Sequence, residues 1–233
     1  EDVNLGKRES LYDIAKNLER WVDGVVVRTF GHENCMTMTK AMKIPMINAL
    51  TDHEHPCQAV GDFLTVVEHL GEFRSRRMVF VGDGNNVCHS LMLMAAAMGM
   101  NFIAATPRGY LPREDVFKRA SVLARESGAS VDIVHNPKEA VRHADAVYTD
   151  VWVSMGQEAE KQARLEAFHG FQVDGRLMQR CTLGAIFMHC LPAHRGEEVT
   201  EEVMSSTQSV VFDQAENRLH TEKGILVTLL GGD

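Results

Sequence analysis

The sequence contains no long hydrophobic run, no basic stripe, no paired-cysteine framework and no internal repeat. Each absence closes off a class of protein. The longest apolar stretch, Leu91 to Met100, is too short to span a bilayer, so no membrane role is expected. Lys and Arg number 24 against 32 Asp and Glu, a formal net charge of -8, and nothing here matches the electrostatic footprint of a nucleic-acid binder. The acidic total does not bar an anionic substrate, because a few local Arg and His residues override net charge. The five cysteines, Cys35, Cys57, Cys88, Cys181 and Cys190, are odd in number and irregular in spacing. They make no disulfide framework and point to a reducing compartment, so a cytoplasmic location is expected. No secretory signal pattern opens the chain. Glu1 to Ser10 is polar and lacks an initiator Met, and it reads as a start in the middle of a fold.

What is present is an ordinary globular composition. The 233 residues are 45% hydrophobic and 24% charged, enough for one large domain or two small ones with a sizeable core. Apolar residues at helical spacing predict helices over residues 10–18, 34–42, 58–70, 87–98, 113–127, 137–143, 157–168, 174–180 and 216–230, with Ser10 as the first cap. Short apolar runs predict strands over residues 24–28, 45–48, 78–81, 101–106, 131–134, 146–149, 186–189 and 209–212. Strands alternating with helices predict an α/β fold, a parallel sheet wrapped by helices. Such sheets bind ligands beyond the carboxyl ends of their strands.

The tracts with chemistry in them fall at those ends. Asp150-Val-Trp-Val-Ser154-Met155-Gly156 follows the strand ending at Thr149. A carboxylate can take an ammonium, while a hydroxyl and backbone N–H groups can take a carboxylate, so this loop suits the head group of an amino acid. His55-Pro56-Cys57-Gln58 is either a plain helix start, with Pro in the first turn, or a clamp. His55 and Gln58 are three apart and share a helix face, and a His donor beside a Gln carbonyl fits a group that carries both C=O and N–H₂. His189-Cys190-Leu191-Pro192 ends another strand and admits three readings: a buried structural thiol, a nucleophile, or part of a zinc site with His53, His55, Cys57 and His194. Metal spacings such as C-x₂-C or H-x₃-H are absent. The turn Gly82-Asp-Gly84-Asn85-Asn86 invites a dinucleotide reading, but Val87 stands where the third glycine belongs, and no acidic residue follows about 20 positions on. A bare tight turn, or amides of Asn85 and Asn86 offered to a small polar ligand, are the alternatives. Arg28 and Arg218 are either surface charges or two cations converging on an anion.

Together, Asp52-His-Glu-His-Pro-Cys-Gln58, Phe80-Val-Gly-Asp-Gly-Asn-Asn86, Ala105-Thr-Pro-Arg-Gly-Tyr110, Asp150 to Gly156, His189-Cys-Leu-Pro192 and Ala215-Glu-Asn-Arg218 resemble the ornithine carbamoyltransferases, over the whole chain. The Ser-Met-Gly loop with His-Cys-Leu-Pro is similar to the ornithine branch rather than the aspartate, putrescine or acetylornithine branches. The resemblance implies two doubly wound parallel-sheet α/β domains. Residues 1–70 would be the remainder of a carbamoyl-phosphate domain, 71–212 the ornithine domain, and 213–233 a terminal helix returning to the first. The family's Ser-x-Arg-Thr-Arg phosphate loop has no counterpart in this sequence, so the first domain is expected to be incomplete and this exact chain inactive alone.

The resemblance also implies the roles. Arg28, His55 and Arg218 would polarise the carbonyl of carbamoyl phosphate and hold phosphate charge. Gln58 and the backbone carbonyls of Cys190 and Leu191 would take its N–H₂. L-ornithine would bind through Asn86, Asp150, Ser154 and Met155, with its δ-amine near Cys190. No metal and no organic cofactor is implied; the assembly would be a homotrimer or a multiple of trimers, and the pathway arginine biosynthesis. Alternatives are a non-catalytic amino-acid-binding relative, a carbamoyltransferase for another amine and, more weakly, a nucleotide-dependent dehydrogenase.

Overall fold

The computed structural model describes residues 8–154 and 156–231. The opening of the Glu1–Ser10 segment and Met155 therefore lie outside the described residues. The chain runs α1 (Leu11–Leu18), β1 (Val25–Arg28), α2 (His32–Ala41), β2 (Met46–Leu50) and α3 (Pro56–Leu70). It continues with β3 (Arg77–Val81), α4 (Asn86–Met98), β4 (Asn101–Ala105), α5 (Glu114–Ser127), β5 (Val131–Val134), α6 (Pro137–Ala140) and β6 (Ala146–Thr149). After a 3-10 turn over Glu158–Glu160 come α7 (Lys161–Ala167), α8 (Gly175–Met178), β7 (Ile186–His189), α9 (Glu201–Met204) and α10 (Val211–Leu230). Among the described residues no helix is long and apolar enough to cross a membrane.

Local chemistry explains the boundaries. Ser10 accepts from the N–H of Asp13 and starts α1. Pro56 occupies the first turn of α3, where its missing N–H costs nothing. Asn85 caps α4 through its side-chain oxygen, and Gly99 ends it in the left-handed region at φ 82°.

All strand pairs are parallel. β1 and β2 form a two-stranded sheet; the larger sheet has the order β5-β4-β3-β6-β7. Its central strands are buried on both faces, as parallel sheets require. Met78, Phe80, Phe102, Tyr148 and Met188 point to one face and pack with α3, α4 and α5. Val79, Val81, Val147 and Phe187 point to the other and pack with Phe168, Leu177, Met178 and Val203. The sheet is therefore doubly wound. The chain builds outward from β3 to β5, then returns to lay β6 beside β3, so the loops after β3 and β6 diverge at a topological switch point. The long α10 packs on α3: Asn217 Nδ2 donates to Thr65 Oγ1 at 3.0 Å, and Gly61 lets the Arg218 backbone approach closely.

Three sequence expectations need correction. Residues 209–212 are not a strand. Ser209 makes one isolated bridge to Phe187, and α10 begins at Val211, five residues before the expected Glu216. The Ser-Val-Val-Phe run looks like a buried strand, and Ser209 does pair with the edge strand β7, but α10 takes over at Val211 and Phe212 is 70% exposed. The helix expected over 157–168 begins as the 3-10 turn and becomes α-helical at Lys161. The one over 137–143 stops at Ala140, and His143 takes φ 62°.

Gly84 is where the main chains come closest: a Cβ there would lie 2.1 Å from Pro112 N and 2.3 Å from Leu111 C. A Cβ at Gly224, inside α10, would meet nothing within 4 Å. Gly84→Ala is expected to destabilise the protein by on the order of 2–3 kcal/mol through overpacking. Gly224→Ala is expected to stabilise it by about 0.5–1 kcal/mol through helix propensity. Thermal unfolding of the two single variants checks this; shifts of the same sign would contradict it.

Candidate active site

The site lies where the loops after β3, β6 and β7 meet the start of α3. Asp150, the first residue after β6, is 7% exposed. Asn85 Nδ2 donates to its Oδ2 at 2.7 Å. The N–H of Val151 donates to its Oδ1 at 2.8 Å, and the Cys190 thiol lies 3.1 Å from the same oxygen. One carboxylate thus joins the ends of three neighbouring strands. The Cys190 thiol is pushed well up, first by burial and then by the Asp150 charge. It stays protonated and donates, which removes it as a thiolate nucleophile.

His55 caps the start of α3, and its N–H donates to Ser90 Oγ at 2.8 Å. Its ring is buried, and Nδ1 has no partner among the described residues. Burial lowers its pKa to about 4, with the positive charges of Arg218 and Arg28 acting in the same direction and Asp150 opposing. His55 is therefore a neutral imidazole at neutral pH, able to donate one N–H. One turn further, Gln58 donates Nε2 to Asp62 Oδ1 at 2.7 Å, and its Oε1 is buried without a partner among the described residues. His55 at the N-cap and Gln58 in the first turn of α3 thus bring a donor and a free acceptor to the same helix end.

The two arginines come from opposite ends of the chain. Arg28 ends β1 and is exposed. Arg218 is on α10; its Nη2 is 3.5 Å from Glu222 Oε1, and its Nε is buried without a partner among the described residues. The positive charges of both bear on His55 and help to lower its pKa, Arg218 more than Arg28.

The remaining expected residues are placed differently. Asn86 spends its side chain within the protein: Nδ2 donates to Thr51 O at 2.7 Å, and Oδ1 accepts from Val87 N. Ser154 donates its N–H to Gln157 Oε1 at 3.1 Å, within its own loop. Leu191 takes φ 58°, an unusual left-handed conformation for a branched aliphatic residue, held by its N–H on His189 Nδ1 at 2.8 Å.

Two alternatives raised by the sequence lose their basis. Gly84 is needed for the close approach of Leu111 and Pro112, and the first amides of α4 are taken by Asn85, so the turn has no free cradle for a pyrophosphate. Asp150, His189 and Cys190 do bring ligand atoms within 4.8 Å of one another. Yet His189 Nδ1 already accepts from Leu191 and Nε2 lies 3.2 Å from Glu198 Oε1, so a cation would have to break a bond that shapes the loop.

Four participants escape sequence reasoning. Asp62 is fully buried and its pKa rises to about 7, burial outweighing hydrogen bonds from Gln58, Gln214 and Tyr148 and the charge of Arg218. The i, i+4 spacing of Gln58 and Asp62 within an apolar helix was the available signal. Gln214 and Tyr148 carried none. Arg164, also buried, donates to Asp83 Oδ2 at 2.7 Å and Trp152 O at 3.0 Å, bracing the Gly82 turn against the loop after Asp150.

Comparison with known proteins gives the family. Residues 1–68 match the family model for the aspartate/ornithine carbamoyltransferase carbamoyl-P binding domain, and residues 74–229 match the Asp/Orn binding domain. The chain is 48% identical over 232 residues to the ornithine carbamoyltransferase of Thermococcus kodakarensis, covering 100% of this chain and 74% of that protein. It is 50% identical over 230 residues to that of Methanothermobacter thermautotrophicus, covering 99% and 76%. The solved ornithine carbamoyltransferase of Pyrococcus furiosus superposes with a TM-score of 0.96 at 47% identity, covering 100% of this chain and 74% of that one. With both domain models matched in order and relatives near half identical along its whole length, the chain belongs to the aspartate/ornithine carbamoyltransferase family.

Proposed function

We propose that the protein transfers the carbamoyl group of carbamoyl phosphate to the δ-amine of L-ornithine, giving L-citrulline and phosphate. The observation that carries this is the pairing of a neutral imidazole donor, His55, with the unpartnered Gln58 Oε1. A carbamoyl group presents one C=O and one N–H₂, and this pair answers both. The relatives' name, ornithine carbamoyltransferase, supplies the same chemistry.

In this scheme His55 donates to the carbamoyl oxygen, and Arg28 and Arg218 supply positive charge to phosphate and to the developing oxyanion. Gln58 Oε1 and the backbone carbonyls of Cys190 and Leu191 accept from the carbamoyl nitrogen. The ornithine head group is taken by Asp150, Asn86, Ser154 and Met155. Asn86 has a second N–H on Nδ2 besides the one given to Thr51, and that is the donor it offers. The neutral δ-amine attacks the carbonyl carbon beside Cys190, a C–N bond forms, and the tetrahedral intermediate collapses as the C–O bond to phosphate breaks. The amine's proton leaves with phosphate. Orientation and electrostatics do the work, and the scheme has no step for a metal or an organic cofactor.

The same proposal takes residues 1–70 as the carbamoyl-phosphate part, 71–212 as the ornithine part and 213–233 as a helix returning to the first. The hydrogen bonds between α10 and α3 support the last point. A homotrimer or multiple of trimers, a cytoplasmic location and a place in arginine biosynthesis complete it.

Citrulline release from ornithine plus carbamoyl phosphate, with aspartate as the control acceptor, is the direct test. With a Ser-x-Arg-Thr-Arg phosphate loop supplied ahead of residue 1, citrulline is expected with ornithine and no product with aspartate; ornithine binding without turnover in that longer chain would favour a non-catalytic relative. His55→Ala is expected to lower kcat on the order of 100-fold, as for loss of one oxyanion donor. The pH profile is a second check. His55 protonates only near pH 4, so it adds no acid limb above pH 6. The nucleophile must lose a proton, so kcat/KM for ornithine is expected to climb from pH 6 to 9 by up to roughly tenfold per unit, the slope of one deprotonation. A flat profile under chemistry-limited conditions would count against an amine nucleophile.

A further inference from the structure

Asp62 lies on α3, four residues beyond Gln58, and is fully buried. A carboxyl group in an apolar interior needs partners. Asp62 finds two from different helices: its Oδ1 accepts Gln58 Nε2 and Gln214 Nε2, each at 2.7 Å. Gln214 Nε2 also lies 3.1 Å from the hydroxyl of Tyr148, on β6.

The amide orientations follow from what each partner can do. The backbone N–H of His189 can only donate, and it donates to Gln214 Oε1 at 3.0 Å, so the N–H₂ of Gln214 faces Asp62. Against a carboxylate oxygen, Gln58 likewise turns its N–H₂ inward. Its Oε1 is then the atom left over, buried and without a partner among the described residues. The opposite flip would set oxygen against oxygen at Asp62 and turn N–H₂ toward a substrate N–H₂. Gln214, meanwhile, grips the residue directly before Cys190 and Leu191.

We propose that Asp62 is a positioning residue: it locks Gln58 with its carbonyl oxygen toward the carbamoyl N–H₂ and, through Gln214, ties that oxygen to the strand end carrying Cys190 and Leu191. One buried carboxyl group then sets both walls of the pocket for the carbamoyl nitrogen. The proposal rests on the carbamoyl-transfer reading.

The test is steady-state kinetics on the full-length protein, with carbamoyl phosphate and ornithine varied separately. Asp62→Leu removes the acceptor. It is expected to lower kcat/KM for carbamoyl phosphate on the order of 10- to 100-fold, the cost of misplacing a substrate contact, and to leave KM for ornithine little changed. Asp62→Asn retains an oxygen for the two amides and is expected to recover most of that loss. The deciding measurement is the double-mutant cycle with Gln58→Ala. If Asp62 acts through Gln58, Asp62→Leu costs several-fold less once that amide is gone, the Gln214 arm alone remaining. Equal cost in both backgrounds, or a folded Asp62→Leu with wild-type kinetics, overturns the proposal. Should Asp62→Leu fail to fold, Asp62→Ser, too short to reach both amides, replaces it in the same cycle with the same expectations. A wild-type protein that makes no citrulline overturns the carbamoyl-transfer reading as well; an active wild type with equal costs overturns this proposal alone.

Discussion

The hydrogen bonds that converge on Asp150 hold the site together. Asn85 reaches it from the loop after β3, Val151 from its own loop and Cys190 from the loop after β7. These strands are neighbours at the switch point of the sheet, where successive loops turn apart and leave a crevice. The common acceptor ties the three loops together beyond the reach of the sheet's own ladder. With it, the cap of α4, the Cys190 thiol and the Asp150 carboxylate form one unit. The low exposure of Asp150 strengthens each bond, because little water competes.

Around that anchor the protein sets charge by burial and by placing cations. His55 is kept from water, and the charges of Arg218 and Arg28 add to the effect of burial, so it remains neutral. Cys190 is kept as a thiol by burial and by Asp150. Neither group is poised to exchange protons near neutrality. The site is built of fixed dipoles, two cations and backbone carbonyls, a composition suited to holding a polar group in one orientation and stabilising charge as it develops. A reaction between a free amine and an activated carbonyl asks for nothing more from the protein than that.

How much of this was legible in the sequence varies with the kind of contact. Asp150, His55, Gln58 and Cys190 stood out because reactive residue types sat directly after apolar strands or at a helix start. Asp62 did not: a lone carboxylate in a helix reads as a surface charge until its neighbours across α10 and β6 are known. Arg164 was hidden for the same reason, since its partner Asp83 is 81 residues away. The run at 209–212 misled because strand composition does not decide where a helix begins: Ser209 makes a single bridge to the edge strand β7, and α10 starts two residues later.

The sequence by itself determined the α/β class, most element positions and the residue types at the strand ends. Those depend on local causes: apolar periodicity, caps, and the left-handed freedom of glycine. The tertiary structure alone decided that Arg28 and Arg218 act on one imidazole, that Asn86 is engaged by Thr51, and that one carboxyl group on α3 orients amides from two helices. These are long-range facts. Which polar groups are shielded from water together, and hence how strongly they act on one another, is set by the path of the chain in space and by nothing in its local spacing.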